Sequence, residues 1–136
     1  MCGIIGITSS KEVTSRIINS LKKLEYRGYD SAGIATLKDG LINEVKCEGR
    51  VEVLENNIIK SNLGGKVGIG HVRWATHGKP SAVNAHPHSS EKVSVVHNGI
   101  IENSTILKKV LENKGYKFKS QTDTEVIAHL VTDYLK

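Results

Sequence analysis

The sequence predicts an α+β domain in which sheet and helix are layered against each other. Three observations carry that expectation. A short Ile-rich apolar run opens the chain at Cys2–Thr8, Asp39-Gly40 sits between two apolar segments as a hairpin turn, and amphipathic helical patterns alternate with these strands. Strands joined by hairpins and mixed with helices argue against a doubly wound parallel sheet.

Taken in order, Cys2–Thr8 reads as a buried strand, so the N-terminus is anchored in the sheet. Lys11–Glu25 carries Val13, Ile17, Leu21 and Leu24 on one helical face, and Tyr26-Arg27-Gly28-Tyr29-Asp30 ends that helix in a polar loop. Ala32–Leu37 and Leu41–Cys47 form the hairpin. Val51–Lys60 reads as a short helix, Gly64-Gly65 as a break, and Lys66–Arg73 as a Gly-containing strand. Trp74–Ser90 is a long polar segment holding both prolines and three histidines, the kind of loop that more often carries function than decoration. Val93–His97 reads as a strand, Asn103 as the cap of a helix to Lys114, and Tyr116–Lys119 as a brief strand. Thr122 and Glu125 have the spacing of a capping box for a last helix, Asp123–Tyr134.

Length and composition narrow the classes of function. At 136 residues, with 38% hydrophobic and 24% charged side chains, the chain suits one folded domain. No apolar run approaches the roughly 18 residues of a membrane span, and the first residues lack the regions of a signal peptide, so the default expectation is a cytoplasmic protein with no membrane partner. The net charge of +5 is not gathered into a nucleic-acid motif: the densest basic stretch, Lys108–Lys119, is broken by Glu112, Tyr116 and Phe118 and reads as a solvated face. Cys2 and Cys47 form neither a CxxC pair nor a disulfide framework.

Position sets Cys2 apart. Its small side chain permits removal of Met1, which puts a thiol and a free α-amine on one residue. The amine's ordinary pKa of about 7.7 to 8.0 lets it exchange a proton with the thiol near neutral pH. Taken alone, Cys2 reads first as a small buried residue at a strand start.

The surrounding strings shift that balance. Met1-Cys2-Gly3-Ile4, Tyr26-Arg27-Gly28-Tyr29-Asp30-Ser31-Ala32-Gly33, Gly70-His71-Val72-Arg73-Trp74-Ala75-Thr76-His77-Gly78, Asn84-Ala85-His86-Pro87-His88, His97-Asn98-Gly99-Ile100-Ile101-Glu102-Asn103 and Thr122-Asp123-Thr124-Glu125 together resemble the class II glutamine amidotransferases, a group of N-terminal-nucleophile hydrolases. The resemblance spans residues 2 to about 125. Trp74 and His77 resemble the branch that aminates a sugar phosphate rather than the amidophosphoribosyltransferase branch; Val72 departs from the Thr common in the former.

The resemblance implies an N-terminal-nucleophile hydrolase type αββα sandwich, present as an incomplete copy, with residues 1–136 the N-terminal portion of a glutaminase domain and the sugar-phosphate isomerase domains outside this chain. It implies Cys2 as nucleophile on L-glutamine, with the Asn98 amide and the Gly99 N–H as oxyanion hole; an isolated Asn-Gly would otherwise be a turn. Arg73 matches the residue that grips the α-carboxylate and Asp123 the one that holds the α-ammonium, although an acid in a helix's first turn also complements the helix dipole. Thr76 and His77 match a loop closing over glutamine, and Trp74 matches the residue coupling that closure to a second domain. Arg27 looks like a neighbour of the nucleophile, with Gly3 in support, and a helix-end role is its plain alternative. No cofactor and no metal are implied, and His71, His77, His86 and His88 lack an acidic or cysteine partner at ligand spacing. Cys47 reads as packing or surface.

In the parent protein, expected to be a homo-oligomer, the ammonia would aminate fructose 6-phosphate to glucosamine 6-phosphate. An incomplete domain is expected to leave sheet edges and apolar faces exposed. A chain keeping Met1 is expected to be inactive. The alternatives are a glutaminase domain of another amidotransferase, and a non-catalytic fragment or binding module.

Overall fold

The computed structural model describes residues 2–61, 63–75 and 78–136. Its main sheet is built from β1 (Gly3–Thr8), β2 (Ser31–Lys38), β3 (Leu41–Glu48) and β4 (Val67–Arg73), in the order β1-β4-β2-β3 and antiparallel throughout. The hairpin forms as expected: Asp39 (φ 52°) and Gly40 (φ 76°) are both left-handed, as a two-residue turn that follows the twist of its strands requires. Gly3 pairs with Val72 and Ser31 with Arg73, which brings the chain's start beside the end of β4.

One face of this sheet packs against α1 (Thr14–Leu24) and α2 (Val51–Ile59). Ala32, Ile34, Cys47 and Val72 meet Val13, Ile17, Leu21, Val51 and Leu54 there in a fully buried core. Side chains alternate faces along a strand, so the same alternation puts Gly68 and Gly70 under α1. A Cβ on either would lie within 2.7 Å of an Ile17 side-chain carbon, so glycine is what lets the helix settle onto the strand. Glu25, in the single 3-10 turn Glu25–Arg27 that ends α1, accepts the Val51 N–H at 2.8 Å and anchors the start of α2.

The opposite face carries Gly33, His71 and Arg73 and is covered by the 84–90 segment, which continues into β5 (His88–Ser89) paired with β6 (Ser94–Val95). Lys46 and Glu44 of β3 hold this layer: Lys46 Nζ donates to Pro87 O at 3.1 Å and Ser89 Oγ donates to Glu44 at 2.7 Å. The helix α4 (Glu125–Tyr134) lies over β5 and β6 with α3 (Ser104–Asn113) beside it. Helix, sheet, thin second sheet and helix therefore stack in αββα order.

Several expected elements differ. The strand expected over Val93–His97 shrinks to Ser94–Val95, since its partner β5 is two residues long. Tyr116–Lys119 is not a strand: among the described residues no strand pairs with it, and Glu125 takes the Lys119 N–H. The capping box does not form. The cap of α4 is Thr124, Thr122 turns its hydroxyl to His88 Nε2 at 2.7 Å, and Glu125 reaches back to Lys119 and Ser120. Asn103 precedes α3 but makes no side-chain cap. Ile4, Leu37, Leu41 and Val67 are exposed on the sheet. No helix among the described residues is long and apolar enough to cross a membrane.

Candidate active site

A cleft of about 180 Å³ opens where the start of β1 meets the end of β4. It brings together Cys2, Arg73, Trp74, Asn98, Gly99 and Asp123, which come from four separate stretches of chain. Thr76 and His77 lie outside the described residues. The wider cleft of about 560 Å³ between the β2–β3 turn and α4 contains none of these side chains.

Sheet register fixes Cys2. One residue before Gly3, it lies beside Trp74, whose backbone N–H donates to Cys2 Sγ at 3.3 Å while the thiol faces Trp74 O at 3.6 Å. Gly3 is required just behind it, because a Cβ there would sit 2.9 Å from Leu24 and Val72 carbons. The Cys2 carbonyl takes two donors, Arg27 Nε at 3.2 Å and Asn98 Nδ2 at 3.1 Å. Arg27 therefore does stand beside the candidate nucleophile, touching its carbonyl. An amide NH2 has two N–H groups, so Asn98 can hold Cys2 with one and present the other to the cleft.

The turn carrying Asn98 and Gly99 is tied to the next segment at two points. Asp123 Oδ2 accepts the Ile101 N–H at 2.7 Å, and His97 Nδ1 pairs with Thr124 Oγ1 at 3.2 Å. A Cβ on Gly99 would lie 2.9 Å from His97 Nε2, so a side chain cannot be added without moving that ring. Arg73 is almost fully buried, and its guanidinium donates to Gly78 O at 2.9 Å and Lys79 O at 3.2 Å. Trp74, by contrast, is half exposed at the rim, edge-on to Tyr29.

Beneath the cleft His71 stacks on His86, with ring centroids 4.0 Å apart, and His86 meets His88 edge-on at 4.7 Å. Burial pushes their pKa values down, to about 4 for His71 and about 3 for His88, and His86 moves the same way, with nearby positive charge adding to the effect. His71 and His86 meet face to face, which does not aim their nitrogens at a common point. No group of three or more His, Cys, Asp or Glu among the described residues is arranged to hold a metal ion. Cys47 is buried away from the cleft; burial raises its thiol pKa, and its Sγ faces Arg50 O at 3.8 Å.

Two residues inside the quoted strings have roles that the sequence pattern leaves unassigned. Asp30 accepts the Ala75 N–H and donates its own N–H to Arg73 O, fixing the backbone that faces the thiol. Asn84, buried in the 84–88 segment, bonds to both Lys79 and Gln121. An acid just after a helix end, or an amide between two aliphatic residues in a long loop, is the trace each leaves in the sequence.

Comparison with known proteins shows what the chain as a whole is similar to. Residues 71–136 match a family described as the glutamine amidotransferase domain. Glutamine–fructose-6-phosphate aminotransferase (isomerizing) of Clostridium acetobutylicum is 59% identical over 98% of this chain, and that of Brucella abortus 54% identical over all of it. The chain is thus similar to glutamine amidotransferase domains. It spans 22% of the length of both relatives. The solved glutamine phosphoribosylpyrophosphate amidotransferase of B. subtilis superposes on the amidotransferase fold with a TM-score of 0.80 at 33% identity, covering 97% of this chain and 29% of that one. The αββα layering is thus that of the N-terminal-nucleophile amidotransferases.

Proposed function

We propose that Cys2, freed by removal of Met1, attacks the δ-carboxamide carbon of L-glutamine. The observation that carries this reading is the convergence on one cleft of a thiol, an amide donor beside a glycine N–H, a guanidinium and a carboxylate. Free glutamine presents an electrophilic carboxamide at one end and a carboxylate and an ammonium at the other, and each of these groups has a matching partner. Arg73 binds the α-carboxylate and Asp123 the α-ammonium. Thr76 and His77 belong, by resemblance, to a loop that closes over the substrate.

The chemistry follows from the charges. The α-amine of Cys2 takes the thiol proton as sulfur bonds to the carboxamide carbon, and the Asn98 amide with the Gly99 N–H receives the oxyanion. The amine then passes the proton to the departing nitrogen, and ammonia leaves behind a γ-glutamyl thioester. Water attacks the thioester with the amine as base, restoring the thiol and releasing glutamate. A chain that keeps Met1 has an amide in place of this base.

Residues 1–136 are, on this reading, the N-terminal portion of the glutaminase domain. The names of the relatives extend it to fructose 6-phosphate as the group aminated; by the family resemblance the product is glucosamine 6-phosphate, made in domains beyond this chain within a homo-oligomeric enzyme. Identities of 54–59% to these aminotransferases, against 33% to the phosphoribosylpyrophosphate enzyme, favour the sugar phosphate as acceptor. The test is release of ammonia and glutamate from glutamine by protein lacking Met1. Cys2→Ala should abolish release, and Met1 retention should do the same; equal release by Cys2→Ala would sink the mechanism.

A further inference from the structure

The two groups assigned to the charged ends of glutamine stand on different segments, Arg73 at the end of β4 and Asp123 ahead of α4. They share no sheet or helix that would fix their spacing. What joins the segments is Asn84, which is 2% exposed. Its Nδ2 donates to Lys79 O at 3.0 Å, the same carbonyl that receives Arg73 Nη1 at 3.2 Å. On its other side Asn84 Oδ1 accepts the Gln121 N–H at 2.8 Å and Nδ2 donates to Gln121 Oε1 at 3.2 Å, two residues before Asp123.

Gly78 supports the same arrangement. Its φ of 78° is left-handed, and a Cβ there would lie 2.7 Å from Asn84 Nδ2. The loop therefore closes tightly onto the Asn84 amide while Gly78 O takes Arg73 Nη2 at 2.9 Å. An amide suits this place because it donates to one segment while accepting from the other. We propose that Asn84 is a positioning residue that sets the separation of Arg73 and Asp123 and so fits the cleft to a free α-amino acid. This rests on the assignment of those two residues to the carboxylate and ammonium of glutamine.

The experiment uses the full-length protein with Met1 removed and reads the rate of Cys2 alkylation by two probes. An L-glutamine-like chloroketone needs both charged contacts, whereas iodoacetamide needs neither. Asn84→Ala should slow the chloroketone about tenfold or more and leave the iodoacetamide rate within about twofold of wild type. Asn84→Asp, equal in size, keeps the acceptor for the Gln121 N–H and loses the donor to Lys79 O; it should show the same selective loss, and it carries the test where the alanine variant does not fold. Equal slowing of both probes, or no slowing of the chloroketone, overturns the proposal. Wild-type protein alkylated no faster by the L- than by the D-chloroketone would instead defeat the glutamine reading itself, whatever Asn84 does.

Discussion

The Trp74 backbone N–H donates to Cys2 Sγ at 3.3 Å, a contact between residues 72 positions apart. It exists because β1 and β4 pair antiparallel with Gly3 opposite Val72, which brings Cys2 alongside the backbone that leaves the end of β4 at Arg73 and Trp74. A one-residue slip in register would turn every side chain of β1 to the other face and break the contact. The candidate nucleophile is thus aimed by the sheet, and the backbone leaving β4 must be equally well held.

Asp30 does that holding. Its carboxylate takes the Ala75 N–H, and its own N–H donates to Arg73 O at 3.2 Å. Asp30→Ala should slow glutamine hydrolysis about tenfold or more, the effect expected when a reacting group is left loosely placed. The loss should appear in kcat more than in KM, because Asp30 is not placed against the glutamine. Steady-state kinetics of wild type and variant decide this; an unchanged kcat would contradict it.

Glycines on the site face of the sheet offer a sharper contrast. A Cβ on Gly33 would fall 1.9 Å from the backbone oxygen of His86, which cannot swing aside as a side-chain tip could. Gly33→Ala should therefore lift the 84–88 segment and cost about 3 kcal/mol or more. At Gly6 the nearest atom is 3.9 Å away, so Gly6→Ala should be neutral or slightly stabilising. Urea unfolding of both variants checks the pair. Comparable losses would mean that contact with His86 is not what requires glycine at position 33.

How far the sequence reveals this depends on the range of the interaction. Helices α1 and α2, the Asp39-Gly40 hairpin and the strands of the main sheet are legible, because spacing and turn chemistry within a few residues decide them. Tyr116–Lys119 misled because its alternation resembles a strand, while pairing depends on a neighbour that no local pattern reveals. Thr122 and Glu125 have the spacing of a capping box, yet each finds a partner elsewhere, in His88 and in the Lys119–Ser120 backbone. Cys2, Arg73, Asn98, Gly99 and Asp123 were legible as a set only through their resemblance to a family. Asp30 and Asn84 act through backbone groups far along the chain, which spacing cannot show.

The buried histidine cluster ties stability to pH. Burial lowers the folded pKa of His71 to about 4, against an ordinary 6.5, so between those values the unfolded chain binds the proton and the folded one does not. Stability is then complete above pH 6.5 and is lost as pH falls toward 4, by about 2 kcal/mol from His71 alone at pH 5. His88, lowered to about 3, acts in the same direction. Urea midpoints from pH 7.5 to 5 should decline accordingly, and His71→Leu should flatten the decline. A wild-type midpoint constant over that range would show that the rings are not held neutral.

Glu125 gives a second dependence at lower pH. Burial raises its pKa, but the hydroxyl of Ser120, the N–H groups of Lys119 and Ser120, and His129 outweigh this and hold it below the usual carboxylate range. Its stabilising contribution is present above the unfolded pKa and disappears as pH falls through the lower folded value. Glu125→Gln keeps the shape but turns an NH2 toward N–H donors at 2.7 Å, which should cost about 2 to 3 kcal/mol. Because residues 119–125 also carry Asp123, the KM for glutamine should rise as stability falls. Loss of stability with an unchanged KM would show that Asp123 keeps its place without this clamp.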